Sequence, residues 1–198
     1  MRFWRLVMTG RFRKEWGYLS RRPDSEHEQA LIRVVLTAVI FAYLFWTMNR
    51  DGIVDREELI LLGLCGLYHF VGILLFLRIV RSPGISPLRR HLAAAGDLGL
   101  TSVGISLVGE AGAPLYIVLL WVIFGTGFRY GRKYLFVSAA IGATGFSAAF
   151  LSNPYWRDKT VMGVGLLVGT VILPLYVSSL LKKLTAAAQR AEEANRAK

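Results

Sequence analysis

Six apolar stretches recur along this sequence, at about 31–49, 58–80, 91–108, 113–128, 134–152 and 160–181. Each approaches the roughly 20 residues that a helix needs to cross about 30 Å of hydrocarbon. The charged residues, 19% of the chain, are gathered into the short segments between them. No stretch shows the long apolar–polar alternation of an outer-membrane strand, and in lipid a helix satisfies its backbone hydrogen bonds within its own segment. The predicted fold is therefore all-α. It is a polytopic membrane helical bundle of six transmembrane helices, with five as the alternative, that ends in a C-terminal coiled-coil helix. The third and fourth stretches are short, Gly-rich and separated only by GEAG at 109–112, which predicts a helical hairpin rather than two independent spans.

The positions of Lys and Arg set the orientation, because cytoplasmic loops collect them. With six spans, one side holds Arg2, Arg5, Arg11, Arg13, Lys14, Arg21 and Arg22, then Arg78, Arg81, Arg89 and Arg90. The same side holds Arg129, Arg132 and Lys133, and finally Lys182, Lys183, Arg190, Arg196 and Lys198. The other side holds only Arg50, Arg56, Arg157 and Lys159, and Arg33 lies inside the first turns of the first span. Both termini are then expected in the cytoplasm of a bacterium, with the protein a multi-pass component of the inner membrane. The net charge of +11 reads as topology and contact with lipid headgroups, and nucleic acid is not an expected partner.

Residues 1–22 lack the apolar run of a signal peptide. They interleave Phe3, Trp4, Leu6, Val7, Met8, Phe12 and Trp16 with cations, the pattern of a helix lying in the membrane interface. Pro23 then breaks the chain, and Ser25 with Glu28 has the spacing of a capping box that starts the first membrane helix near Glu26. That cap is a sufficient structural account of Asp24, Ser25, Glu26 and Glu28.

Chemistry inside the spans is sparse. Asp97 is the one acidic residue well inside a span, and an intramembrane carboxylate is a functional candidate by default. A hydrogen-bonded structural role, with Thr101 or Ser102 nearby on the same helix, is the competing account. His69 in the second span could pair with Asp97, although a lone His on an apolar helix is more often a packing residue. One cysteine, Cys65, and three scattered His exclude a disulfide framework and a metal site. There is no phosphate-binding Gly loop, nucleophile elbow or paired carboxylate, so the chain is read as binding, sensing or anchoring rather than catalysing, with no cofactor of its own. Ser102 with Ser106, and Gly165 with Gly169, are small-residue pairs that would let helices approach closely.

The last span runs on without a turn signal. Gly and Pro are absent from 175 to 198, and strong helix formers fill the stretch after Ser179. Leu173, Val177, Leu180, Leu184, Ala187, Ala191 and Ala194 are spaced alternately four and three residues apart, the a/d seam of a left-handed coiled coil. The seam predicts a partner helix, most simply its own copy, and the chain is expected to continue into a further domain.

Several blocks carry a resemblance. RRPDSEHEQALIR, the Asp97 span, APLYIVLLWVIFGTGFRYGRKYL, SNPYW, GLLVGTVILPLYVSSLL and EEANRAK resemble, in order and spacing, the input region of RpfC-type hybrid histidine kinases, the sensors of diffusible signal factor. The likeness covers about 21–198. It implies a transmembrane sensor domain at 23–181, and a cytoplasmic helix from 182 leading to a kinase. That kinase, not this chain, would use ATP and Mg. The implied signal is a cis-2-unsaturated fatty acid, and the implied segment for recognising it includes Asp24, Ser25 and Glu26. A fatty-acid carboxylate beside Asp24 and Glu26 would be repelled unless a cation intervened. Arg22 or Arg33 is therefore expected to hold the headgroup, with the acidic residues orienting it. FGTGFRYGRK, with Arg129 and Arg132 at a membrane surface, is a rival headgroup site; an ordinary positive-inside turn is its bland reading. Expected partners are the fatty-acid signal, membrane lipids and a second copy of the chain. A small transporter or carrier, or a passive dimerising anchor, are the alternatives.

Overall fold

The computed structural model describes residues 26–51, 56–81 and 86–196, and all its regular elements are helices. Helix α1, Glu26–Asp51, has Glu26 and Glu28 in its first turn and Arg50 in its last, so charge matches the helix dipole at both ends. Ser25, the expected cap, lies outside the described residues. Helix α2, Arg56–Arg81, repeats the arrangement with Glu57 and Glu58 at its start and Arg78 and Arg81 at its end. Each has 26 residues, about 39 Å at 1.5 Å per residue, enough to cross the hydrocarbon with turns to spare.

Helix α3 spans Pro87–Val108, with a proline at its first position where a missing N–H costs nothing. A 3-10 turn, Gly109–Gly112, prolongs it, and α4 follows at Leu115–Tyr130. Gly109 supplies the left-handed backbone (φ 52°) at which the chain leaves the α-helix. The expected hairpin is therefore present. It closes tightly, because a Cβ on Gly112 would lie 2.9 Å from the Gly104 carbonyl oxygen.

Gly131 (φ 92°) reverses the chain into α5, Arg132–Ser152. Asn153 caps the five-residue α6, Pro154–Asp158, by accepting the Tyr155 N–H at 2.9 Å. Helix α7 then runs unbroken for 37 residues, Thr160–Arg196, about 55 Å, through a buried Pro174.

Among the described residues, five helices are long and apolar enough to cross a membrane: α1, α2, α3 with its 3-10 extension, α5 and α7. The sixth, α4, has 16 residues and spans about 24 Å, short of the hydrocarbon thickness. The protein is an all-α, multi-pass membrane bundle.

The described residues divide into two compact units, one from 26–43, 65–81 and 86, the other from 44–51, 56–64 and 87–196. In the second, α5 is the central element and packs against α3, α4 and α7. Leu98, Ile105, Leu119, Ile123, Leu135 and Phe146 fill its interior with no exposed surface. Ser102, read from the sequence as half of a small-residue pair, faces Gly145 of α5, and Ser106 bonds Ser152 at 2.8 Å. The other pair divides: Gly169 receives the Tyr116 hydroxyl, while Gly165 has open space beside it.

Candidate functional site

In the first unit, α1 buries a polar stripe. Glu26, Arg33 and Thr37 recur with Ala30 at spacings of four, three and four, so they share one face, and all four are buried. His27 is buried beside them. The Arg33 stem reaches α2, where a Cβ on Gly72 would sit 3.9 Å from Arg33 Cδ. One turn on, Thr37 Oγ1 contacts the Arg33 carbonyl at 2.8 Å and His69 Nδ1 of α2 at 2.8 Å. The hydroxyl has one proton, so if it serves the carbonyl, the imidazole must donate to it. Cys65 Sγ points at the Thr37 carbonyl at 3.8 Å. The stripe thus joins α1 and α2 with polar contacts in an apolar hairpin.

His69 thus contacts Thr37 within the first unit, and Asp97 belongs to the second. Asp97 is half-buried, and its backbone carbonyl accepts from Thr101 Oγ1 at 2.7 Å. Arg22, Asp24 and Ser25 lie outside the described residues, as does the interfacial segment 1–22. Replacing Thr37 with valine should destabilise the hairpin by about 1 kcal/mol, a typical interhelical hydrogen bond in lipid, while serine should leave it near wild type. Unfolding midpoints in detergent would measure both.

The second cluster belongs to the other unit and gathers where α4 turns into α5. The Gly131 N–H ends α4 on the Gly127 carbonyl at 2.9 Å, and its own carbonyl accepts the Leu135 N–H at 3.2 Å. This tight reversal brings Tyr130 and Tyr134 together, ring centroids 5.2 Å apart. The first turn of α3 lies against them. Arg90 places its guanidinium carbon 4.3 Å over the Tyr130 ring, and His91 stacks on Tyr134 at 4.5 Å with the planes 14° apart. From the turn, exposed Arg132 donates its Nε–H to Ser178 Oγ of α7 at 2.8 Å. Ser178 is buried. Farther along α7, the Tyr116 hydroxyl of α4 donates to the Leu166 carbonyl at 2.7 Å and lies 3.1 Å from Thr170 Oγ1.

Cations over aromatic faces at a helix turn can take an anionic headgroup whose apolar tail lies in the bundle or the lipid. Arg132, named from the sequence, is in this cluster, and Arg129, also named, precedes Tyr130 at the end of α4 and is half-buried. Arg90, His91, Tyr130, Tyr134 and Ser178 were not singled out as a group, because they come from four helices and no spacing rule joins them.

On α7 the buried face is Gly163, Thr170, Pro174 and Ser178. The seam lies one residue behind it, about 100° round the helix. Leu173, Leu180, Leu184, Ala187, Ala191 and Ala194 are exposed in the single chain and Val177 is partly so. From Lys182 onward nearly every described side chain is exposed. The Glu192–Arg196 ion pair, 2.5 Å and fully at the surface, adds little.

The chain is similar to the sensory/regulatory protein RpfC of Xanthomonas campestris pv. campestris, found in two strains, at 37% identity over 182 residues. The likeness takes in 91% of this chain but 24% of the relative, so the chain spans about a quarter of the length of the curated relatives it matches. No family model and no solved structure matches it. Identity over nearly the whole chain, with the apolar helices, supports an RpfC-type membrane region.

Proposed function

We propose that this chain is the membrane sensor domain of a two-component hybrid histidine kinase, and that it recognises a diffusible cis-2-unsaturated fatty acid used as a quorum-sensing signal. The observation that carries the reading is α7. One helix begins inside the second unit, where Thr170 and Ser178 are held by Tyr116 and Arg132, and continues to Arg196 with its side chains in the open. A tilt or rotation at the Ser178 level would carry to the far end, because beyond Pro174, which itself offers no N–H to the Thr170 carbonyl, the helix has no further Gly or Pro at which to absorb it. The name of the similar Xanthomonas protein, sensory/regulatory, agrees with such a role.

In this reading residues 23–181 sense, 182–198 transmit, and the exposed seam joins two copies of α7 in a homodimer. The domain sits in the inner membrane with the C-terminus in the cytoplasm, its basic N-terminal segment on the lipid surface. A phosphorelay kinase beyond it would supply the ATP and Mg chemistry. The acyl chain, entering from the bilayer, would lie among apolar helices. Its headgroup would meet either the Arg33 stripe, with Arg22, Asp24, Ser25 and Glu26, or the Arg129 and Arg132 cluster.

The test is direct binding. The chain in zwitterionic lipid nanodiscs should bind a cis-2-unsaturated fatty acid in preference to its trans and saturated counterparts. Equal binding of all three would reduce the chain to an anchor with a greasy surface. Counterflow of the acid across proteoliposomes would instead make it a carrier.

A further inference from the structure

We infer that the turn between α4 and α5, with the first turn of α3, is a binding site for the headgroup of an anionic amphiphile. Through Arg132 and Ser178 its occupancy is coupled to α7. The inference deepens the sensor reading and, for the fatty acid as occupant, rests on it.

Charge is the first argument. The stretches that meet here, 87–96, 128–135 and 176–183, contain Arg89, Arg90, Arg129, Arg132, Lys133, Lys182 and Lys183 and no Asp or Glu. Two of these cations are available. Arg132 makes one hydrogen bond among the described residues, through Nε, and its two terminal nitrogens are uncommitted. Arg129 makes no hydrogen bond or ion pair among the described residues and is half-exposed. A guanidinium presents a fork between its two terminal nitrogens and another between Nε and a terminal nitrogen, and a carboxylate or phosphate can fill either with two parallel hydrogen bonds.

Preorganisation is the second. The Arg90, Tyr130, Tyr134 and His91 series of contacts fixes one wall of the turn by cation–π and ring stacking. These groups sit at the ends of apolar helices, the depth at which a membrane amphiphile carries its charge. A free anion in water would have no reason to prefer that depth. A headgroup with an acyl tail would, since its tail stays in lipid while its charge meets Arg129 and Arg132.

The coupling follows from Ser178. It is 2% exposed on the face of α7 that packs into the unit, one turn before Lys182. If an anion takes Arg132 side-on, through Nε and one terminal nitrogen, it displaces Ser178 from Nε. The buried hydroxyl must then find another acceptor or donor, most readily a carbonyl of its own helix, and the contact holding the exit of α7 to α5 is lost. Ser178 is thus a positioning residue for α7 and does not hold the headgroup.

The experiment uses the whole chain in zwitterionic nanodiscs with the same cis-2-unsaturated fatty acid as probe. Calorimetry reads affinity, and hydrogen exchange over 176–190 reads α7. Arg132→Gln should bind at least about tenfold more weakly, the usual loss for a charge-assisted bond. Ser178→Ala should bind within about twofold of wild type yet lose the ligand-induced change in exchange. Unaltered affinity in both Arg132→Gln and Arg129→Gln, with wild type binding normally, would overturn the site and leave the sensor reading intact. A full exchange response in Ser178→Ala would overturn the coupling. If wild type fails to bind the acid, the sensor reading fails, and a second arm decides the site. In nanodiscs containing phosphatidylglycerol, native mass spectrometry should show that lipid retained by wild type and lost from Arg132→Gln, making the occupant a lipid phosphate. Equal retention by the two would overturn the site altogether. Thermal unfolding of each variant, expected within a few degrees of wild type, separates lost binding from lost fold.

Discussion

Replacing Trp156 with alanine is expected to destabilise the second unit by about 3–5 kcal/mol, the cost of emptying a large buried side chain. Trp156 belongs to a helix of five residues that could not hold together alone. It is nonetheless wholly buried. Its indole N–H donates to the Ile105 carbonyl of α3 at 3.0 Å, and its ring meets Phe146 of α5 edge-on at 5.4 Å and Tyr155 at 5.2 Å. One side chain therefore ties the α5–α7 connection to two helices. Phenylalanine at the same place keeps most of the packing and loses the hydrogen bond, so its cost should be nearer 1 kcal/mol. Unfolding in detergent, followed by loss of helical signal, measures both. A Trp156→Ala shift no larger than that of phenylalanine would mean that the ring carries none of the packing described.

The second large effect is expected at Gly145. A Cβ added there would lie 2.8 Å from Ser102 Cβ, and closer still to its hydroxyl, distances that a real Cβ does not adopt. Rotating the Ser102 hydroxyl away cannot help, because Ser102 Cβ is fixed to the backbone of α3. Helices α3 and α5 must part, and this is the most extensive helix contact of the unit. Gly145→Ala should cost about 2–3 kcal/mol by overpacking. The matching change, Ser102→Gly, should cost under about 1 kcal/mol alone through helix propensity. Combined, the two should recover most of the lost stability, giving a coupling of about 1–2 kcal/mol in a double-mutant cycle. Additive losses would show that the two residues do not share the contact.

How far these features were legible varies with their physical origin. The GEAG hairpin and the long α7 were readable from the chain, because each depends on neighbours within a turn or two: glycines at a reversal, helix formers after Ser179. Ser102 was readable as a residue that lets helices approach, but not as the one facing Gly145. The choice of His69 for Thr37, the cage of Arg90, Tyr130, Tyr134 and His91, and the reach of Arg132 to Ser178 each join separate helices. Their sequence separations carry no period, so no local rule could have paired them. Helix α4 shows the same limit: its composition suits a span, while its observed length of 16 residues is fixed by where Pro114 and Gly131 end it.

The sequence by itself determined that this chain folds as helices in a membrane and that its last helix leaves the bundle uninterrupted. Apolar runs of that length have no other way to satisfy their backbone in lipid, and a stretch without Gly or Pro has nothing to stop it. Only the tertiary structure decided which polar side chains meet. Rotation of each helix about its axis is set by the packing of small residues such as Gly145 and Gly112 against their neighbours, and that rotation aims Arg132 at Ser178 and Thr37 at His69.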